Sequence, residues 1–230
     1  MYEASQSVTS NAASGRGFLR VVRLETMTYE DALGEQRRLH RARVLDETID
    51  TLLLAEHPHV YTLGRNSDPR HILADGDTLR RRGAQICRTE RGGEVTYHGP
   101  GQLIAYPIIK LQAYERSIKL LVTRMEEAIV RTLGEWSIAA RRDDSDRGVW
   151  VGNCKIASIG MSLRGWVAMH GMALNVRPDM SYFGHINPCG HDDLRMTSMA
   201  MELERSVEVG QVGRAFARHF SIVFERTVID

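Results

Sequence analysis

The chain has 230 residues, 43% hydrophobic and 26% charged, with 30 Lys and Arg against 29 Asp and Glu for a formal net charge of +1. That balance excludes a disordered chain, a collagen-like or disulfide-stapled scaffold, and a nucleic-acid binder with a broad basic field. Its three cysteines, Cys87, Cys154 and Cys189, are too few and too far apart for a disulfide framework or a zinc knuckle, which fits a reducing compartment.

Residues 1–17 carry Ser, Thr and Asn where a signal peptide would carry its apolar stretch, which predicts a disordered tail before a single domain over 18–230. No apolar run reaches the roughly 18 residues of a membrane helix, so the expected setting is bacterial cytoplasm with no membrane contact. Phe18 to Leu24 suits a strand. Thr28 then offers a helix N-cap with Asp31 three positions on, and Tyr29, Ala32, Leu33, Gln36 and Leu39 share one face of the helix that follows. Leu52 to Leu54 and Val60 to Leu63 are short strand runs separated by the turn-prone Glu56-His57-Pro58, and Gly64 and Pro69 open a loop. Leu103 to Ile109 is an apolar run whose Pro107 predicts an edge strand or a strand that ends there. Ile118, Leu121, Val122, Met125, Ile129 and Leu133 fall at helical spacing and predict a long amphipathic helix ending near Gly134. Val149 to Val151, Lys155 to Leu163 and Val167 to Val176, punctuated by Gly152, Gly165 and Gly171, predict a meander of strands. A last helical stripe is Val209, Val212, Phe216, Phe220 and Phe224. Strands outnumber helices without strict alternation, so the expected class is α+β, a single domain of mixed or antiparallel sheets flanked by helices.

The densest concentration of functional side chains and glycines is Arg91-Gly92-Gly93-Glu94-Val95-Thr96-Tyr97-His98-Gly99-Pro100-Gly101-Gln102. Glycines allow a ligand close to the backbone and present N–H donors, while Arg91, His98 and Gln102 can orient polar groups. The segment is no phosphate loop, because the Lys-Ser/Thr pair is missing, and composition alone also fits a Gly-rich turn between strands. Cys189 stands in Asn187-Pro188-Cys189-Gly190; were the stretch on to Glu204 helical, the thiol would sit near a helix N-terminus, which favours thiolate. A lone cysteine is more often a small buried hydrophobe, which is the reading kept for Cys87. Lys155 begins a strand-like run in which a buried lysine would be costly. A lysine facing a thiol stabilises thiolate and, desolvated, can take up and return a proton. His98, His170, His185 and His191 are alternative bases. The set His185, Cys189, His191 and Asp192 matches no standard zinc spacing, and the arginines Arg37, Arg38, Arg41, Arg43 and Arg80 to Arg82 fit a solvated face.

Taken together these segments resemble the lipoyl(octanoyl) transferases, the LipB family of octanoyl-acyl-carrier-protein:protein octanoyltransferases. The resemblance rests on Arg91-Gly92-Gly93 through Thr96-Tyr97-His98, Gln102 and Tyr106, on Lys155-Ile156-Ala157 with Ser158-Ile159-Gly160, on His170-Gly171-Met172-Ala173-Leu174-Asn175, and on Pro188-Cys189-Gly190. It spans about Phe18 to Glu204. It implies the α+β catalytic domain shared with lipoate and biotin protein ligases. The implied reaction moves octanoyl from acyl carrier protein to a lysine of a lipoyl domain, as in 2-oxoacid dehydrogenase E2 subunits and the glycine cleavage H protein, with no cofactor, no metal and no nucleic acid. Cys189 is implied to carry the acyl thioester and Lys155 to handle protons. Substrate contacts are implied for Arg91, Gly92, Gly93, Glu94, Val95, Thr96, Tyr97 and His98, for Ser158, Ile159 and Gly160, and for Gly171, Met172 and Ala173. Departures from the family pattern are Asn153-Cys154, which puts a second thiol beside Lys155, and the acidic Asp143-Asp144-Ser145-Asp146. Rival expectations are an ATP-dependent lipoate or biotin ligase, an amidotransferase that takes octanoyl from another lipoyl domain, and a carrier-binding module without turnover.

Overall fold

The computed structural model describes residues 17–143, 146–187 and 194–229, so the expected tail lies, apart from Gly17, outside the described residues. From the N-terminus run β1 (Gly17–Arg23), α1 (Tyr29–Val44), β2 (Asp50–Ala55), β3 (Val60–Leu63), α2 (Gly76–Arg81), β4 (Gln85–Arg88), β5 (Val95–His98) and β6 (Gln102–Ile108). The second half adds α3 (Ile118–Gly134), β7 (Ala140–Arg142), β8 (Val149–Val151), β9 (Cys154–Arg164), β10 (Val167–Asn175), β11 (Arg195–Met196), α4 (Met199–Leu203), α5 (Val209–Val223) and β12 (Arg226–Ile229). The two long N-terminal caps are where the sequence puts a hydroxyl. Thr28 Oγ1 accepts the Asp31 N–H at the head of α1, and Ser117 Oγ accepts the Leu120 N–H at the head of α3.

Period-2 alternation sets the layers. Leu52 and Leu54 of β2 and Leu103 and Ala105 of β6 point to one face, where α3 and α5 supply Leu121, Met125, Ile129, Phe216 and Phe220. Leu53, Ala55, Ile104 and Tyr106 point to the other, where α1 supplies Tyr29, Ala32, Leu33 and Leu39. The larger sheet runs β12-β1-β2-β6-β10-β9-β8-β7, with β11 added beside β9. The β12–β1–β2 pairs are parallel and β2 through β7 pair antiparallel, so the sheet is mixed as expected for α+β. A smaller sheet, β4-β3-β5, packs Tyr61, Leu63, Val95 and Tyr97 against Tyr182, Phe183 and Ile186.

Two expectations are corrected. Pro107 is the penultimate residue of β6, which ends at Ile108 as one of the two alternatives expected, but β6 is no edge strand: it is interior, with Pro107 opposite Leu52 of β2. The missing N–H is absorbed on the β10 side, where the register pairs Met172 with Ala105 and picks up again at Val167 and Lys110. Between them His170, opposite Pro107, turns to φ 60° and gives its N–H to Gln36 Oε1 at 3.0 Å instead of to the ladder. Nor is the stretch from Leu194 to Ser198 helical. It forms β11 and then the Ser198 cap of α4, so the helix starts only at Met199.

Candidate active site

Between the α1 face of the large sheet and the small sheet lies a cavity of about 170 Å³. Its walls are the three glycine-bearing segments of the sequence. Arg91, Gly93, Glu94, Val95, Thr96 and His98 come from the loop before β5 and from β5 itself. Lys155, Ser158, Ile159 and Gly160 come from β9, and His170, Gly171, Met172 and Ala173 from β10. The sequence brought none of these together by proximity; the antiparallel pairing of β9 and β10, with Gly160 opposite Gly171 and Ser158 opposite Ala173, does so. Two members of the first segment do not line the cavity. Gly92 donates its N–H to Met161 O of β9 at 3.2 Å, and Tyr97 is fully buried in the small sheet's core, stacked 5.0 Å from Tyr182.

The loop is held tightly to β9. A Cβ on Gly160 would stand 2.7 Å from Gly92 O, so this approach needs a glycine. The Arg91 guanidinium, 7% exposed, stitches the loop from inside, donating to Thr62 O at 2.6 Å, Thr62 Oγ1 at 3.0 Å, Glu94 O at 2.6 Å and Gly92 O at 3.0 Å. These bonds shape the wall. Gln102, also buried, donates to Tyr97 O and to Asn175 Oδ1, and Asn175 Nδ2 donates to Thr197 O at 2.9 Å. That relay ties β5, β6 and β10 to the segment that follows residues 188–193.

Lys155 reaches the cavity through a bulge. Trp150 of β8 pairs with Lys155 but Val149 pairs with Ala157, so Ile156 is an extra residue on β9. The shift re-aims the strand, and Lys155 joins Ser158 and Gly160, which strict alternation would split between faces. Its side chain is 4% exposed, and Nζ donates to Asp146 Oδ1 at 2.8 Å and lies 5.0 Å from the Trp150 ring centroid. Cys189, Gly190 and their neighbours from Pro188 through residue 193, His191 and Asp192 among them, lie outside the described residues. On either side, the Asn187 N–H is bonded to His71 O at 2.8 Å, while Leu194 lines the cavity and Met196 pairs with Lys155. Cys154 and Cys87 are partly buried free thiols, and burial pushes the Cys87 thiol up. Among the described residues no group of three or more His, Cys, Asp or Glu could hold a metal ion.

Of the alternative bases, His98 and His170 line the cavity and His185 does not. Burial pushes His98 well below the usual histidine range and holds His170 at about 4, with Arg91 adding in the same direction for both. Both rings are therefore neutral near pH 7, and neither nitrogen of His170 has a hydrogen-bond partner among the described residues. Tyr29, Tyr106, Asp146, Arg147 and Leu194 complete the lining. Tyr29 stacks 5.9 Å from His98, and Tyr106 OH meets His57 Nε2 at 2.7 Å. Of these added residues Tyr106 stood among the motif residues and Asp146 in an acidic run, while Arg147 and Leu194 had no signal in the sequence.

The neutral His170 has a consequence for stability. An unfolded histidine takes a proton as pH falls below about 6.5, whereas His170 in the fold resists until about 4. Its contribution is thus full above pH 6.5 and declines toward pH 4, with about 2 kcal/mol lost by pH 5 from this group. Unfolding at pH 7.5 and pH 5 should show the wild type losing stability, and His170→Asn, which suits φ 60°, losing less. A parallel loss in both proteins would contradict the assignment.

Comparison with known proteins matches residues 28–221 to the model of the lipoyl protein ligase A/B catalytic domain. An octanoyltransferase of Solibacter usitatus is 45% identical over 202 residues, covering 88% of this chain and 91% of that protein. An octanoyltransferase of Syntrophobacter fumaroxidans is 41% identical over 206 residues, covering 90% of each. Among solved structures, a bipartite lipoate protein ligase from Thermoplasma acidophilum superposes with a TM-score of 0.69 over 94% of this chain and 88% of that one, at 18% identity, a likeness of fold.

Proposed function

The chain belongs to the lipoyl protein ligase A/B catalytic-domain family and is an octanoyltransferase of protein lipoylation, and from that premise we propose a two-step transfer through Cys189 with Lys155 as its proton carrier. The donor in this reading is octanoyl-acyl carrier protein. The acceptor is the lysine of a lipoyl domain, such as that of a 2-oxoacid dehydrogenase E2 subunit or the glycine cleavage H protein. One catalytic domain over 18–230 and a cytoplasmic setting go with it; no helix among the described residues is long and apolar enough to cross a membrane.

The observation that carries the reading is Lys155. An amine almost withdrawn from water, facing a cavity with walls from Val95, Ile159, Met172 and Ala173, is placed for proton transfer beside an acyl chain. From Lys155 to Gly160 β9 spans about 16 Å at about 3.3 Å per residue. An extended eight-carbon chain needs about 9 Å from ordinary bond lengths, which is shorter than that wall.

In the first step Cys189 thiolate attacks the donor thioester carbonyl. A new C–S bond forms, the old one breaks, and the departing pantetheine thiolate takes a proton from Lys155. One thioester replaces another, so no nucleotide is needed. In the second step the acceptor amine attacks the acyl-enzyme, its proton passes to Lys155, and Cys189 leaves as thiolate; the amide lies downhill. The Gly92 N–H, already bonded to Met161 O, is not among the donors for the oxyanion.

Intact mass after incubation with octanoyl-carrier protein alone should show one octanoyl group, released by hydroxylamine and absent in Cys189→Ala. Because Cys154 adjoins Lys155, Cys154→Ser serves as control and should keep the adduct. No adduct without ATP, but one with ATP and free octanoate, would instead identify a ligase.

A further inference from the structure

Asp146 stands in the acidic run that departs from the family pattern, and its carboxylate is the group that meets Lys155 Nζ, at 2.8 Å. The contact is built rather than incidental. The Trp150 indole N–H donates to Asp146 O at 3.1 Å, and the same ring lies 5.0 Å from Nζ. Behind it, Glu126 of α3, 1% exposed, accepts the Gly148 N–H at 3.1 Å and approaches Arg147 at 3.5 Å. A loop anchored at both Trp150 and Gly148 therefore holds Asp146 over the amine. Among the described residues, the other charged or titratable groups around the cavity are Arg147 on the same loop and Tyr29, Arg91, Glu94, His98, Tyr106 and His170 on the other walls.

We propose that Asp146 is a positioning residue that favours the second half-reaction, by drawing the acceptor's proton onto Lys155. The inference rests on the reading of Lys155 as proton carrier. When Lys155 has given its proton to the departing pantetheine thiolate, a neutral amine faces a carboxylate. As the acceptor amine attacks, the C–N bond forms, the C–S bond to Cys189 breaks with its electron pair going to sulfur, and the proton moves to Lys155 Nζ. That transfer restores an ammonium beside the Asp146 carboxylate, a Coulombic gain made in a site largely shielded from water. The same attraction opposes the first step, in which the ammonium must give its proton away. Asp146 therefore acts in opposite directions on the two halves.

The two halves can be timed separately. Octanoylation by octanoyl-carrier protein is followed without acceptor by quenched-flow mass spectrometry, and the isolated octanoyl-enzyme is then mixed with a lipoyl domain. Asp146→Asn should acylate within about threefold of the wild type or faster, while its octanoyl-enzyme reacts with acceptor about tenfold or more slowly. Asp146→Glu should recover most of the second rate. Equal slowing of both steps would mean that Asp146 merely holds the loop, and unchanged rates would mean that it plays no part; either overturns the inference. Should Asp146→Asn fail to fold, Asp146→Ser makes the same comparison. Lys155→Ala run in parallel separates the premises: if it slows both steps while Asp146→Asn shifts neither, the Asp146 inference alone fails, and if it slows neither, the reading of Lys155 fails with it.

Discussion

Lys155→Ala is expected to lower octanoyl transfer by about 10²- to 10⁴-fold, the range over which a positioned acid–base group acts. The size follows from what the described histidines of the cavity cannot do. His170 and His98, the histidines that line the cavity among the described residues, are kept neutral by burial and therefore have no imidazolium proton to give to the departing thiolate. Lys155→Arg should fare little better than alanine, because a guanidinium does not give up its proton in a protein and its planar fork does not fit the place of a compact ammonium against Asp146 and Trp150. Steady-state transfer measured beside a thermal melt checks both variants. A folded Lys155→Ala protein within threefold of the wild type would remove Lys155 from the chemistry.

The largest effect on the fold is expected at Gly171. A Cβ there would stand 1.8 Å from Ala105 O, a backbone atom of an interior strand that has no room to yield. Gly171→Ala must therefore pry β10 from β6, the pair that also carries His170, Met172 and Ala173 into the cavity. A loss of about 3 kcal/mol or more follows, the upper end for overpacking, or roughly 10 °C in Tm for a chain of this length. Gly34 is the control. It lies in α1 with nothing within 4 Å of a built Cβ, so Gly34→Ala should leave Tm unchanged or raise it slightly. Similar melts for the two alanine variants would show that β6 and β10 can part at Gly171 without cost.

Whatever depends on local periodicity could be read from the amino acids alone. The face Tyr29, Ala32, Leu33, Gln36 and Leu39 is the buried face of α1, Leu121, Met125, Ile129 and Leu133 of the expected stripe are buried along α3 while Ile118 at its head is exposed and Val122 only half-buried, and the runs after Val149 are β8, β9 and β10. The reason is that 3.6- and 2-residue repeats mark which side of an element avoids water, whatever it packs against. The chemistry-bearing segments could be read too, since glycines, Arg91 and Lys155 where stability gains nothing from them point to a ligand. Tertiary structure decided what stands beside what. Pro107 sits inside the sheet because its missing N–H faces a β10 residue that gives its own N–H to Gln36 of α1, a contact between positions 134 apart in the chain. Tyr97, in the middle of a functional motif, is spent on the small sheet's core, where it packs with Tyr61, Tyr182 and Phe183. The aim of Lys155 and its meeting with Asp146 depend on one extra residue in β9, and no periodicity records where a strand will bulge, since that is settled by the pairing of β8 and β9 over their whole length.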